Sequence, residues 1–225
     1  MPISNLGNGL RTGVCTSTNR PTTPYEGQVI YETDTDLSYI WGGTAWQQVS
    51  GGTAVGNSGL VYISTITLSA GSGTALQWSG TVFSSTYTNY RLMCNLIKTG
   101  GGDAINMTLG IGTTATSADY YGGGMGVSST GVAAVTAFNQ TNTALWTRAF
   151  GNISTVAGCV MDIYNPNAAT NTGITSISTG GNGDGDGNTT NFSGWQGSNT
   201  QFTSFAINPL AGTLAGTIQV YGYRQ

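Results

Sequence analysis

The stretch Tyr90 to Ile111, YRLMCNLIKTGGGDAINMTLGI, decides how this chain folds. Tyr90, Leu92, Cys94 and Leu96 alternate with Arg91, Met93, Asn95 and Ile97, and after the glycines Ile105, Met107, Leu109 and Ile111 take up the same period. A period of two sends every second side chain to one face of a strand, so Tyr90 to Ile97 and Ala104 to Ile111 are predicted strands. Before them, Val61-Tyr62-Ile63 and Ile66-Thr67-Leu68 form a strand region. After them come Val132 to Phe138, Leu145 to Phe150, Val156 to Tyr164, Phe202 to Ile207 and Thr217 to Tyr223. No helical apolar stripe competes with these runs. About eight strands, roughly 10 to 20 residues apart with Gly- and Asn-rich turns, predict an all-β chain whose main part is an antiparallel β-sandwich in jelly-roll form. The last run, TIQVYGYRQ, is rich enough in β-formers to be paired inside a sheet.

Composition narrows what such a sandwich does. Of the 225 residues only 7% are charged, against about 25% in an average soluble protein, so hydroxyls and amides must form the surface. Stability then rests on backbone ladders, apolar burial and subunit contacts more than on ion pairs. The 36 glycines follow no Gly-X-Y period, which excludes collagen. Six basic residues, Arg11, Arg20, Arg91, Lys98, Arg148 and Arg224, stand singly in a chain of net charge −3. With no basic patch, nucleic-acid binding is not expected. Histidine is absent, which excludes His triads, His metal sites and His proton shuttles. Cys15, Cys94 and Cys159 are odd in number and far apart, and read as free thiols. No apolar leader and no run of about 18 apolar residues occurs, so neither membrane insertion nor signal-dependent export is expected. The expectation is retention in the cytosol or release by lysis.

Toward the N-terminus the pattern changes. Residues 1–19 alternate small, polar and glycine residues, with Ile3, Leu6 and Leu10 as the large aliphatics, and read as an extended arm. Residues 20–50 hold two of the five prolines, four of the nine acids and two of the five tryptophans. Pro21 and Pro24 stiffen the start, and Gln28 to Thr33, Leu37 to Trp41 and Ala45 to Val49 are β-rich runs separated by DTD and GGT. A three-stranded meander of this size is marginal alone and needs something to pack on, such as another copy of itself. Residues 51–59 form a Gly/Ser linker, which leaves 60–225 as a jelly-roll-like outer domain.

The spacing R-P-x-x-P-x-x-G-x-x-I-Y-E-T-D-T is carried by Arg20, Pro21, Pro24, Gly27, Ile30, Tyr31, Glu32, Thr33, Asp34 and Thr35. An aromatic strand ending at Trp41 and a G-x-x-W ending at Trp46 follow it. Together they resemble a small module of tailed-bacteriophage virion proteins: minor tail proteins, tail fibres and capsid-associated fibres. The V-Y-G-Y ending also resembles the C-termini of phage fibre and tail proteins. The resemblance implies a virion structural element, assembled in the host cytoplasm, that joins the particle to an exposed domain. It makes Arg20, Pro21, Pro24, Tyr31, Glu32, Trp41 and Trp46 candidate attachment residues, with tail or capsid proteins as partners.

Within residues 60–225 three kinds of chemistry are weighed. In GGNGDGDGN, Asn182, Asp184, Asp186 and Asn188 alternate oxygen ligands with glycines, as calcium would require. The acid that completes an EF-hand loop would fall at Ser193, however, so a solvated surface turn is preferred and no cofactor is expected. Tyr120, Tyr121 and Trp195 sit beside glycines in loop-like settings, where an aromatic can stack on a host-surface glycan. Burial at the end of the sandwich, or against a neighbouring subunit, is the competing reading. Catalysis is not expected. The carboxylates Asp103, Asp119, Asp162, Asp184 and Asp186 lack a glycosidase frame, although Asp162 in the strand run VMDIY is the one an enzyme would use.

The expected function is therefore a non-enzymatic virion component, a short homotrimeric fibre or adhesin anchored by its N-terminal region. A capsid decoration protein that stabilises the head is the alternative, and a glycan-processing enzyme the second. Trimers of β modules hide strand edges that so few charges leave unprotected.

Overall fold

The computed structural model describes residues 13–50, 59–100, 104–128, 135–151, 156–181 and 187–224. The chain is all-β; among the described residues the one helical segment is a 3₁₀ turn at Ala70–Ser72. It divides into two compact units, Met1–Asn57 and Ser58–Gln225.

The first unit is a four-stranded sheet of β1 (Gly13–Cys15), β2 (Val29–Glu32), β3 (Leu37–Trp41) and β4 (Trp46–Ser50), in that order. The meander expected to have three strands has a fourth, because the end of the expected arm lies parallel to β2, with Gly13 opposite Ile30 and Cys15 opposite Glu32. Side chains explain the return: Asp34 accepts from the Ser17 backbone N–H at 2.9 Å and from its hydroxyl at 2.5 Å. The Thr33 N–H donates to the Cys15 carbonyl at 3.0 Å.

The second unit contains β5 (Leu60–Leu68), β6 (Gln77–Trp78), β7 (Asn89–Thr99), β8 (Ile105–Ile111), β9 (Thr114–Ala115), β10 (Tyr120–Ser128), β11 (Val135–Thr143), β12 (Val156–Tyr164), β13 (Thr172–Gly181), β14 (Gly187–Gln196), β15 (Ser204–Pro209) and β16 (Thr213–Tyr223). One sheet has eight strands in the order β11-β10-β14-β13-β12-β7-β16-β5, and the other four in the order β6-β15-β8-β9. Apolar side chains from both sheets meet in one core, Leu92, Leu96, Met161, Ile218 and Val220 from the larger and Ile105, Met107, Leu109, Phe205 and Ile207 from the smaller. The arrangement is β-sandwich-like, with antiparallel pairing throughout this unit. β5 pairs with β16, β6 with β15, β7 with β12 and β8 with β9, so the chain runs out and returns alongside itself. β13, β14, β10 and β11 widen the larger sheet beyond β12.

Among the described residues of this unit twelve strands stand where about eight were expected. Leu145 to Phe150, expected as a strand, is a turn in which Trp146 alone bridges Met107, with N–H···O distances of 2.8 and 2.9 Å. Arg148 at φ 65° departs from any strand geometry. The segment still matters, because Trp146 and Phe150 are fully buried and β8 is covered on both faces.

Candidate functional site

Two surfaces gather the candidate residues. In the first unit, cross-strand register puts Ile30 and Glu32 of β2 beside Tyr39 and Leu37 of β3 on one face. Glu32 is fully buried and forms an ion pair with Arg20, while the Thr35 hydroxyl donates to its second oxygen at 2.8 Å. The Arg20 guanidinium also lies 4.3 Å above the centre of the Tyr39 ring. Its hydrogen bond holds the Glu32 carboxyl below the usual carboxylate range. A carboxylate at that depth without its cation would be uncompensated, so the pair is a condition of the local fold. Tyr31 donates to Asp36 at 2.8 Å, which pushes its phenol up, and Trp41 meets Trp46 edge to face at 5.4 Å. Pro21 and Pro24 are half-buried.

The structure thus brings the motif residues together, but as the framework of the module. What the module offers outward lies on its other face, where alternation turns Val14, Val29, Tyr31 and Ile40. Val14 is 68% exposed, and Val49 on β4 is exposed as well. Ile30 is the one apolar side chain among the described residues of this unit that is fully buried.

The second surface is the outer face of the eight-stranded sheet. Register sets its side chains in rows across the strands. One row runs Tyr121, Trp195, Gly173, Tyr164 from β10 to β12, and the next runs Gly123, Ser193, Thr175, Asp162, Arg91, Tyr221 from β10 to β16. A third carries Met93, Val160 and Ile177, all exposed, along a shallow groove of about 680 Å³. In the first row the Tyr121 and Trp195 rings stack at 5.1 Å and 12° between planes, and Trp195 is 50% exposed. A solvent-open cavity of about 640 Å³ lies there, lined by Tyr121, Trp195, Gly173, Tyr164, Thr175 and Ser193 among others.

In the second row Arg91 holds Asp162 through two hydrogen bonds, Nε to Oδ1 at 2.8 Å and Nη2 to Oδ2 at 2.7 Å. The Tyr223 hydroxyl adds a third, to Oδ1 at 2.7 Å. Burial pushes Asp162 up, but the bonds from Arg91 and Tyr223 outweigh it and its carboxyl lies below the ordinary value. Burial, and then the bond to Asp162, push the Tyr223 phenol up to about 12. Asp162, the acid an enzyme reading would require, is an ionised cross-strand clamp. Beneath this face Cys94 and Cys159 are cross-strand partners turned into the core, where burial pushes the Cys94 thiol well up.

Among the candidate glycan contacts, Tyr121 and Trp195 are brought together, in strands rather than loops. Tyr120 is not part of the surface. It alternates to the core side of β10, is fully buried, and meets Trp146 edge to face at 4.9 Å. Its hydroxyl accepts from the Leu109 N–H at 2.7 Å and contacts the Thr108 hydroxyl at 3.0 Å. Asn182, Asp184 and Asp186 lie outside the described residues, and Asn188 belongs to β14. Among the described residues no group of three acids or cysteines converges as metal ligands. Sequence reasoning missed Tyr164 and Gly173, although a period of two along VMDIY sets Tyr164 on the same face as Asp162.

Comparison of the chain with protein-family models, with curated proteins and with solved structures finds no match in any of the three.

Proposed function

We propose that this chain is a non-enzymatic structural component of a tailed-phage virion, held to the particle by its first unit and displaying its second toward the host surface as a short homotrimeric fibre. The observation that carries the reading is the unfinished state of the first unit. Its motif residues hold it together, yet it buries Ile30 alone among the described apolar side chains and leaves Val14 and Val49 open. A sheet of this size is completed by what it packs on, and a neighbouring virion protein supplies that surface. For the second unit the jelly-roll reading is supported by the pairing of β5 with β16, β6 with β15, β7 with β12 and β8 with β9, with β10, β11, β13 and β14 added to the larger sheet. Many copies on one particle would turn weak contacts into avidity.

The test is the copy number and position of the chain on purified particles, for the native sequence and for Val14→Asp. A charge at this exposed position leaves the module's own bonds in place. The proposal expects a few copies at the tail and at least a roughly ten-fold loss on substitution, which corresponds to about 1.4 kcal/mol at a docked apolar face. Unchanged incorporation overturns attachment through this face. Hundreds of copies on the head would assign the chain to decoration instead.

A further inference from the structure

Gly173 is the cross-strand partner of Trp195 on one side and of Tyr164 on the other, so the larger sheet carries the sequence aromatic, no side chain, aromatic along one row. Strands two places apart lie about 9.5 Å from each other, which sets the spacing of the backbones that carry the two aromatics, and both side chains line the cavity beside Gly173. Holding a ring between two aromatic faces takes roughly 7–8 Å, twice the ordinary 3.5–4.0 Å carbon contact. The cavity of about 640 Å³ along this row has room for one saturated ring with its substituents. Trp195 is braced from behind by its stack on Tyr121, and Tyr164 by contact of its hydroxyl with Thr175 at 3.3 Å. Both walls are thus set before anything binds, which lowers the ordering cost of binding.

The rim selects the chemistry. Thr175 and Ser193 stand opposite each other in the adjacent row, and Thr141 is exposed at the cavity edge. Hydroxyls both donate and accept, as sugar hydroxyls do. Among the described residues none that lines the cavity is charged, and the Arg91 cation in the neighbouring row is bound to Asp162. Nothing in the slot favours a phosphate, a sulfate or an acidic sugar. The C–H faces of a pyranose meet the negative faces of aromatic rings, while its equatorial hydroxyls point toward the rim.

We propose that the slot formed by Trp195, Gly173 and Tyr164 is a saccharide site that takes one uncharged hexopyranose unit of a surface glycan. The assignment deepens the host-contact role proposed above and rests on it for the source of the glycan. The experiment is saturation-transfer NMR on the full chain with maltose, lactose and methyl α-mannoside as probes, and with a decaproline peptide in parallel. At least one sugar is expected to show transfer to its ring C–H protons with millimolar affinity. Trp195→Ala and Gly173→Val should each weaken it about ten-fold or more, and Val160→Ser on the same face should not.

Gly173→Val is the sharper variant. A Cβ at this position meets the Tyr164 ring at an ordinary 3.5 Å, so the first carbon is accommodated and the two methyls beyond it take up cavity space. An unchanged melting temperature checks that. Failure of all three sugars to bind, or binding indifferent to both variants, overturns the proposal. Binding of decaproline in place of sugar overturns it too, and gives the slot to a protein partner. These outcomes are read on the isolated chain, so they fail separately from particle incorporation, which tests the virion role.

Discussion

Asp162 has three hydrogen bonds from two other strands, and its contribution depends on pH in a definite direction. Its folded pKa lies below the ordinary value of about 3.9, so the stability it adds is present above that pH and is lost as pH falls through the folded value. Asp162→Asn removes charge-assisted bonds worth roughly 1–2 kcal/mol after screening at the partly exposed guanidinium. The Tm at pH 7 should fall by roughly 2–6 °C, and the gap to wild type should close below about pH 4. A gap independent of pH would show that Asp162 acts through packing alone. Tyr223 works in the opposite sense: with its phenol raised to about 12, its contribution is full below the ordinary Tyr value of about 10 and disappears between the two. The cysteines offer a third test. Cys94 and Cys159 are buried and turned inward while Cys15 is partly open, so a thiol reagent on the native chain should modify Cys15 alone. Rapid modification of all three would contradict the packing around β7 and β12.

The strands differ in how clearly the sequence announces them, and the reasons are physical. β7 and β12 have one apolar and one mixed face, so alternation exposes them. Lys98 hides the end of β7, because a lysine is not expected inside; its Nζ donates to the Gly100 carbonyl at 2.8 Å. β13 turns Thr172, Ser176 and Ser178 inward and Ile177 outward, which cancels the contrast that periodicity needs. Ser176 is satisfied in the core by the Ala149 carbonyl at 2.5 Å. β10 reads as a loop because of its glycines, yet at Gly122 a Cβ would sit 2.7 Å from the Phe192 ring. The aromatic slot was half legible: Tyr121 and Trp195 are conspicuous in the sequence, but pairing across Gly173 is a matter of register that no local pattern records. Two nearby glycines should therefore respond differently to alanine. At Gly194 a Cβ would lie 2.5 Å from the Tyr121 carbonyl oxygen, so Gly194→Ala should cost roughly 1–3 kcal/mol. Gly173→Ala should be tolerated, and equal losses of Tm would contradict the register of β13 and β14.

The second unit is dominated by non-local pairs. β16 lies between β5 and β7, so the middle of the larger sheet closes only after more than a hundred residues have been made between its partners. Such topology folds slowly, and shortening β16 should abolish the cooperative transition of the unit rather than trim its stability. A truncation before Thr213 that still melts cooperatively would sink that expectation. For the proposed trimer, light scattering should give three times the 23.1 kDa chain mass at micromolar concentration. A monomer there would remove the trimer from the functional reading.

The clamp on Asp162 has a mechanical side. Leu60, where the chain enters this unit, pairs with Tyr223, and the Arg224 N–H bonds the Gly59 carbonyl at 3.1 Å. A tug on anything seated over Gly173 is carried to Gly59 across the ladders from β13 to β5, at right angles to the strands. Hydrogen-bond rows pulled that way part in succession and resist weakly. Arg91, Asp162 and Tyr223 tie β7, β12 and β16 together in the neighbouring rows. The ion pair is a rivet on the line of force, and its loss would show under load as well as in a thermal melt.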